Sequence, residues 1–143
     1  KRQDKSTWTE RNSGTSNHLK GISFGNNIFV AFGDGGKIIT SSDGITWTSR
    51  NSGTTEHLRG ITYANSIFII VGENGRILTS SNGTSWNLRS TPSSEGLEDI
   101  TYGNNKYITI GNSGTILTST DGISWNSQSS AIIETIFSII YVE

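Results

Sequence analysis

The fold of this chain is decided by a seven-residue sequence that recurs at a constant interval. It reads SSDGITW at residues 41–47, SSNGTSW at 80–86 and STDGISW at 119–125, and a degenerate copy, DKSTW, occupies residues 4–8. Each copy ends in a tryptophan, so Trp8, Trp47, Trp86 and Trp125 are spaced 39 residues apart. A fixed period of this kind is typical of a repeat protein in which each unit is one small supersecondary structure.

The repeat covers the whole chain. Complete units span residues 9–47, 48–86 and 87–125, and partial units span 1–8 and 126–143. Glycine and Asn mark turns inside every unit, because they tolerate the positive φ that tight hairpins require. The segments between the turns predict four strands per unit, labelled A to D. Their predicted bounds are 19–24, 58–63 and 97–102 for A, 28–32, 67–71 and 107–110 for B, 37–41, 76–80 and 115–119 for C, and 45–50, 84–89 and 123–128 for D.

Strand B is apolar on both faces, which determines how the units assemble. In the second unit Ile67, Ile69 and Val71 alternate with Phe68 and Ile70, so both faces need cover. Four-stranded units that stack in this way predict an all-β fold, a β-propeller. We expect one segment over residues 1–143 with about three and a half blades, either a partial propeller or one closed by further chain or by oligomerisation. A last strand A is predicted around residues 138–142.

The recurring sequence resembles the Asp-box, or bacterial neuraminidase repeat, and the Gly-x-x-Gly-x-Ile at residues 33–38, 72–77 and 111–116 is similar to that family as well. Similar units occur in sialidases, secreted bacterial repeat proteins and photosystem II assembly factors. The resemblance implies that the box forms the turn between strands C and D, at the end opposite the usual binding face. It implies a larger bacterial protein or assembly with an extracellular, periplasmic or cell-surface location. It implies structural roles for Asp43, Gly44, Trp47, Asn82, Gly83, Trp86, Asp121, Gly122 and Trp125.

Composition excludes several classes of function. The formal net charge is −1, which gives no electrostatic basis for binding nucleic acid or an anionic membrane. The chain has no cysteine, so disulfides, thiolate metal sites and cysteine catalysis are excluded. No apolar run approaches the roughly 20 residues that span a bilayer, so no transmembrane segment is predicted.

Sialidase catalysis is the enzyme hypothesis that the resemblance raises. By that resemblance it needs an arginine triad, a Tyr/Glu pair and an acidic aspartate. Arg11, Arg50 and Arg89 occupy one repeat position, which is more simply a structural solution used three times. A divergent site should interrupt the repeat, and no interruption supplies the needed residue types. We therefore predict that the protein is not an enzyme.

No metal or cofactor site is predicted. His18 and His57 are the only histidines and lie one period apart, so stacked blades should hold them about 10 Å or more from each other. We interpret them as loop residues of the D–A connections. Asp34 and Glu73 lie in turns without EF-hand spacing that lead into a strand rather than a helix. Asn82 begins an N-glycosylation sequon, which we interpret as a box variant because Asn offers the same acceptor.

Binding is the functional hypothesis that remains. The D–A loops and B–C turns share one end of every blade, and we call this surface the rim. Mixed charge with little aromatic surface favours a protein partner or a structural role, and a glycan-binding (lectin-like) propeller with shallow sites between blades is the alternative. The predicted rim residues are His18, Lys20, Asp34, His57, Arg59, Glu73, Glu95 and Glu98.

The C-terminal segment, residues 131–142, is more apolar than the matching segment of the other units. Its first half has no evident counterpart in them. A free apolar edge is prone to association. We therefore expect this segment and the open blade edges to contact a protein partner, a second copy of the chain or further downstream sequence.

Overall fold

The structure, a computed structural model, describes residues 7–143 and contains three four-stranded antiparallel sheets. We call the sheets blades 1, 2 and 3 in chain order. In each blade the four strands are neighbours in the order in which they occur along the chain. Blade 1 contains β1 (Leu19–Gly25), β2 (Ile28–Gly33), β3 (Ile38–Ser41) and β4 (Thr48–Arg50). Blade 2 contains β5 (Leu58–Ala64), β6 (Ile67–Gly72), β7 (Ile77–Ser80) and β8 (Asn87–Arg89). Blade 3 contains β9 (Leu97–Gly103), β10 (Lys106–Gly111), β11 (Ile116–Ser119) and β12 (Asn126–Gln128).

The blades stack face to face, and the two cores lie between them. Phe68 and Ile70 of β6 face blade 1, whereas Ile69 and Val71 of the same strand face blade 3. The prediction that strand B is covered on both faces is confirmed, and the fold is that of a β-propeller. The core between blades 1 and 2 contains Val30, Phe32, Ile38, Leu58, Phe68, Ile70 and Leu78. The core between blades 2 and 3 contains Ile69, Val71, Ile77, Leu97, Ile100, Tyr107, Leu117 and Trp125.

Strand D is shorter than predicted, and the box tryptophan lies just before it rather than on it. β4, β8 and β12 have three residues each. The reason is local, because Asp43 Oδ1 accepts the N–H groups of Ile45 and Thr46 at 2.8 and 2.9 Å, which removes these donors from a strand ladder. Strand C also begins one residue later than predicted, at Ile38, because a 3-10 turn occupies Asp34–Gly36.

The predicted strand around residues 138–142 is absent, since residues 129–143 carry no strand. No strand B lies beside this segment in residues 7–143, so no ladder of backbone hydrogen bonds forms. The expectation that its first half lacks a counterpart is wrong. Ser130 Oγ donates to Ile132 O at 3.3 Å, as Ser52 Oγ donates to Thr54 O at 3.0 Å. The D–A loop therefore repeats although its sequence is apolar.

The first blade has one face that no described residue covers. We call the face that each blade turns to the preceding blade its front face. On it, Leu58 and Leu97 are fully buried, but the equivalent Leu19 of blade 1 is 42% exposed. Of the first partial unit, Thr7 and Trp8 are described, and the predicted box residues 4–6 lie outside the described range. Trp8 is 93% exposed.

Candidate functional site

The antiparallel topology sorts the loops between two ends of each blade. The A–B turns and the C–D box turns lie at one end, and the B–C turns and D–A loops lie at the other end, the rim. The box residues and the rim residues are therefore on opposite sides of the molecule.

The box is a turn organised by one side-chain oxygen. Asp121 Oδ1 accepts the N–H groups of Ile123 and Ser124 at 2.8 and 3.0 Å, as Asp43 does in blade 1. These backbone donors stabilise the carboxylate and hold the pKa of Asp121, like that of Asp43, below its usual value. Asn82 accepts the two equivalent bonds through its amide oxygen, each at 2.9 Å. The geometry is thus the same in all three blades, while the charge is missing in blade 2.

Tryptophan and glycine complete the box. The indole N–H of Trp86 donates to Gly83 O at 2.9 Å, and that of Trp125 donates to Gly122 O at 3.1 Å. The ring of Trp86 lies 6.2 Å from that of Phe68, measured between centroids, so it contacts strand B of its own blade. Trp47 lies beside Phe29 in the same way, at 6.5 Å.

The glycine of each box is held by the serine three residues before it. The N–H groups of Gly44, Gly83 and Gly122 donate to the Oγ atoms of Ser41, Ser80 and Ser119, each at 2.8 Å.

At the rim, backbone bonds fix each B–C turn to the D–A loop of the same blade. The N–H of Asp34 donates to His18 O, and that of Glu73 donates to His57 O, both at 2.9 Å. The middle residue of the turn has positive φ, 67° at Gly35. These contacts hold the acidic side chains of the turns in defined positions.

A second set of contacts crosses from blade 1 to blade 2. The N–H of Gly35 donates to His57 Nδ1 at 3.0 Å, and the same nitrogen lies 3.5 Å from Asp34 Oδ1. Lys20 Nζ lies 3.9 Å from that oxygen on the other side. The bond from Gly35 to His57 therefore joins the B–C turn of blade 1 to the D–A loop before blade 2. Three of the predicted rim residues therefore form one cluster at the boundary between the blades.

Arg59 forms the next contact along the rim. Its Nη2 donates to Glu73 Oε1 of the same blade, and this bond, together with the nearby carboxylates of Glu98 and Asp34, raises the pKa of the guanidinium. Its Nε is buried and bonds to no partner in the described residues. Both side chains of the pair are about one-third exposed, 32% for Arg59 and 34% for Glu73, so they remain accessible at the surface.

The structure does not bring every predicted rim residue into this row. His18 is exposed, and its side chain makes no hydrogen bond to the described part of the chain. Glu95 is exposed and accepts a bond from Ser113 Oγ at 3.3 Å. Sequence reasoning missed Asn17, whose Nδ2 donates to Asp34 O at 2.9 Å. It also missed the Gly35 N–H, because a backbone donor leaves no signal in residue type.

The described residues form no cluster of metal-ligating side chains. No group of three His, Cys, Asp or Glu side chains lies close enough to hold a metal ion within residues 7–143. Over the same range no helix is both long and apolar enough to cross a bilayer. Two hollows of about 420 and 430 Å³ lie at blade boundaries, and neither is lined by an aromatic side chain.

The fold and the rim define a β-propeller protein with a polar surface at one end, where hydrogen bonds and ion pairs join neighbouring side chains. A structure of YCF48 bound to D1 peptide matches with a TM-score of 0.72 and 21% identity, over 85% of this chain and 42% of that one. YCF48 from Cyanidioschyzon merolae matches with a TM-score of 0.66, at the same identity and coverage. The chain thus spans less than half the length of these structures, and the likeness shows the fold.

Other comparisons add little. A Bombyx mori GH32 beta-fructofuranosidase, a variant solved in complex with sucrose, matches with a TM-score of 0.48 and 16% identity over 79% of this chain and 34% of that one. This likeness is too weak to carry an argument about activity. No protein-family model matches the chain. No curated protein matches it either.

Proposed function

We propose that this chain is a non-catalytic, protein-binding β-propeller module whose rim contacts the partner. The observation that carries the proposal is the cluster of Lys20, Asp34 and His57, which joins two blades while all three side chains stay 30–46% exposed. Arg59 and Glu73 extend the row toward blade 3. A row of polar and charged side chains held in place on a rigid scaffold offers directional polar contacts, which favour specificity.

A protein or peptide partner suits this surface better than a small molecule. The rim is shallow and mixed in charge, and standard protein interfaces are polar at their edges. A protein of similar fold, YCF48, has been solved bound to D1 peptide, so the fold is compatible with peptide binding. This likeness supports a peptide partner for the present chain without naming it.

We further propose that the recurring turn is an Asp-box. The support is the geometry at Asp43 and Asp121, where one carboxylate oxygen accepts two consecutive backbone N–H groups. An extracellular, periplasmic or cell-surface location rests on this resemblance alone and stays a prediction, as does membership in a larger protein or assembly.

Glycan binding is the second candidate. The two hollows at the blade boundaries favour it, because both are lined in part by hydroxyl and amide groups, such as Thr54 and Asn51 in one and Ser129 and Gln128 in the other. Sugar sites usually add an aromatic platform, which both hollows lack. A glycan array decides between the two functions.

The test uses short random peptides displayed on phage, selected against the full chain. Selected peptides should bind the Arg59→Ala variant at least about fivefold more weakly, a loss of about 1 kcal/mol. Lys106→Ala is the matched control, because Lys106 is an exposed cation at the start of β10, at the end of the blade opposite the rim, and it should leave binding unchanged. Equal binding to both variants refutes the rim as the site. Turnover of a fluorogenic sialoside that is lost in a rim variant refutes the absence of catalysis.

A further inference from the structure

The C-terminal segment, residues 132–142, lies where strand A of a fourth blade would lie. Tyr141 follows Tyr63 by two repeat periods, and its ring covers Gly103 as the ring of Tyr63 covers Gly25. A Cβ atom on either glycine would overlap the tyrosine ring. The segment therefore keeps the register between blades, although no strand B lies beside it in the described part of the chain.

Specific hydrogen bonds hold this segment against blade 3. The N–H of Ile136 donates to Gly111 O at 2.9 Å, and the N–H of Ile139 donates to Asp99 Oδ2 at 3.2 Å. The residue equivalent to Asp99 is glycine in both blade 1 and blade 2. Blade 3 thus departs from the repeat at a residue that contacts the segment, and this departure supplies an acceptor that the other blades lack.

The outer side of the segment is apolar and open. Ile133, Phe137, Ile140 and Val142 are 85, 73, 80 and 77% exposed. In blades 1 to 3 the equivalent strand is paired with a neighbouring strand B. A segment at a blade edge that pairs with no strand in residues 7–143 and exposes apolar side chains is a template for strand addition.

The repeat specifies what fits beside the segment, because the molecule covers the equivalent strand in the same way three times. In blade 2, Tyr63 pairs with Phe68 and Leu58 pairs with Gly72, in an antiparallel register. The same register places an aromatic residue opposite Tyr141 and a glycine opposite Ile136. Neither residues 135–142 nor residues 67–72 contain a charged side chain, so the two surfaces match in polarity.

We propose that residues 136–142 are a docking site for a β-hairpin of the B–C type. Such a hairpin consists of an uncharged strand that is apolar on both faces and ends in glycine, then a turn, then a second apolar strand. The first strand of the hairpin pairs antiparallel with residues 136–142. The side chains of that strand cover the face of blade 3 that points away from blade 2. The site is distinct from the rim, so this proposal does not depend on the proposed binding function of the rim.

The experiment uses a fluorescently labelled peptide with the sequence of residues 65–80, NSIFIIVGENGRILTS, titrated with the full chain and followed by anisotropy. Saturable binding of one peptide per chain is expected. Ile140→Asp should weaken it about three- to fivefold, because Ile140 takes the place of Thr62 opposite Ile69 of the peptide and the aspartate loses this cross-strand apolar contact. The exposed side chain of Ile140 makes this change compatible with folding. On addition of the peptide, backbone amides of residues 136–142 should exchange more slowly with solvent.

Two matched controls test whether binding is specific to residues 136–142. Leu88→Asp changes an exposed apolar residue, 47% accessible, on the outer edge strand of blade 2, and it should leave binding intact. A peptide carrying Ile69→Asp should not bind, which excludes general adhesion. Absence of saturable binding overturns the proposal, and so does an equal loss in the Leu88 variant, which would place the peptide on an outer edge. A chain that is dimeric alone and becomes monomeric with Ile140→Asp also overturns it, since a second copy would then occupy the site.

Discussion

Three equivalent leucines offer a direct test of blade stacking. Leu58 and Leu97 are fully buried in the cores between blades, while Leu19 at the same repeat position is 42% exposed. Leu19 lines an open groove of about 390 Å³ on the front face of blade 1, together with Ile22 and Trp47. Each leucine can be replaced by alanine in nearly the same local sequence, so the three variants differ chiefly in what covers the side chain.

The expected losses follow from burial. Leu58→Ala removes a fully enclosed side chain and leaves a cavity, so it should cost about 3–5 kcal/mol in the free energy of unfolding. Leu19→Ala removes about three carbon groups that are a little more than half covered, at about 0.8 kcal/mol each when fully buried. The cavity contribution is absent because the site opens to solvent. The expected cost for Leu19 is therefore about 1–1.5 kcal/mol.

Urea unfolding followed by tryptophan fluorescence measures these losses, with Leu97→Ala as the second buried case. The two buried variants should agree within about 2 kcal/mol, since the cost of a buried Leu→Ala change varies by about that amount with local packing. Repeating the Leu19 measurement over a range of protein concentrations checks for association. A loss at Leu19 as large as at Leu58, independent of concentration, would show that the front face of blade 1 is covered in the folded chain, and the stacking argument would be wrong.

Other predictions concern the box and the blade boundary. The folded-state pKa of Asp43 and of Asp121 is below the ordinary value of 3.8, so their contribution to stability is complete above that value and is lost as pH falls through the folded-state pKa. Asp43→Asn should therefore flatten the acid limb of a stability–pH curve, and Asn82→Asp should steepen it, because Asn82 already accepts the same bonds. Thermal unfolding between neutral pH and acid checks both, and parallel curves would contradict them. Tyr107→Phe should cost about 1–2 kcal/mol in urea unfolding, because the buried hydroxyl donates to Ala64 O at 2.7 Å and the carbonyl would lose its partner. A neutral result would mean that water replaces the bond. Burial raises the pKa of Tyr107 to about 12, so no ionisation of this group should appear in an absorbance titration below that range.

Strands A to C could be predicted from sequence because their pattern reflects burial directly. β6 alternates between two cores, and the predicted range 67–71 differs from the observed Ile67–Gly72 by one residue. Strand D was predicted too long, since the pattern of apolar residues does not show that Asp43 Oδ1 takes up the backbone donors of the next residues. A side chain that competes with the ladder for N–H groups shortens a strand without changing its polarity pattern.

The candidate site could be predicted only in part. Sequence order places Asp34 and His57 on the same rim, but it does not reveal that His57 reaches across to the turn of the preceding blade. That contact depends on the angle and distance between stacked sheets, which neither local propensity nor the repeat period contains. The Asn17 contact has a different cause, because its partner is a backbone oxygen of the B–C turn in the same blade, which residue type does not reveal.

Neighbouring positions at the start of strand A show where the repeat is constrained and where it is free. The first position is Leu19, Leu58, Leu97 and Ile136 in successive units, and the second is Lys20, Arg59, Glu98 and Phe137. The first faces the core between blades, where a change in volume costs stability at once. The second faces the rim, where each residue changes charge or polarity without disturbing the stack. Variation at the second position therefore changes the charge of the rim, and the same surface holds the contacts between Asp34, His57 and Lys20.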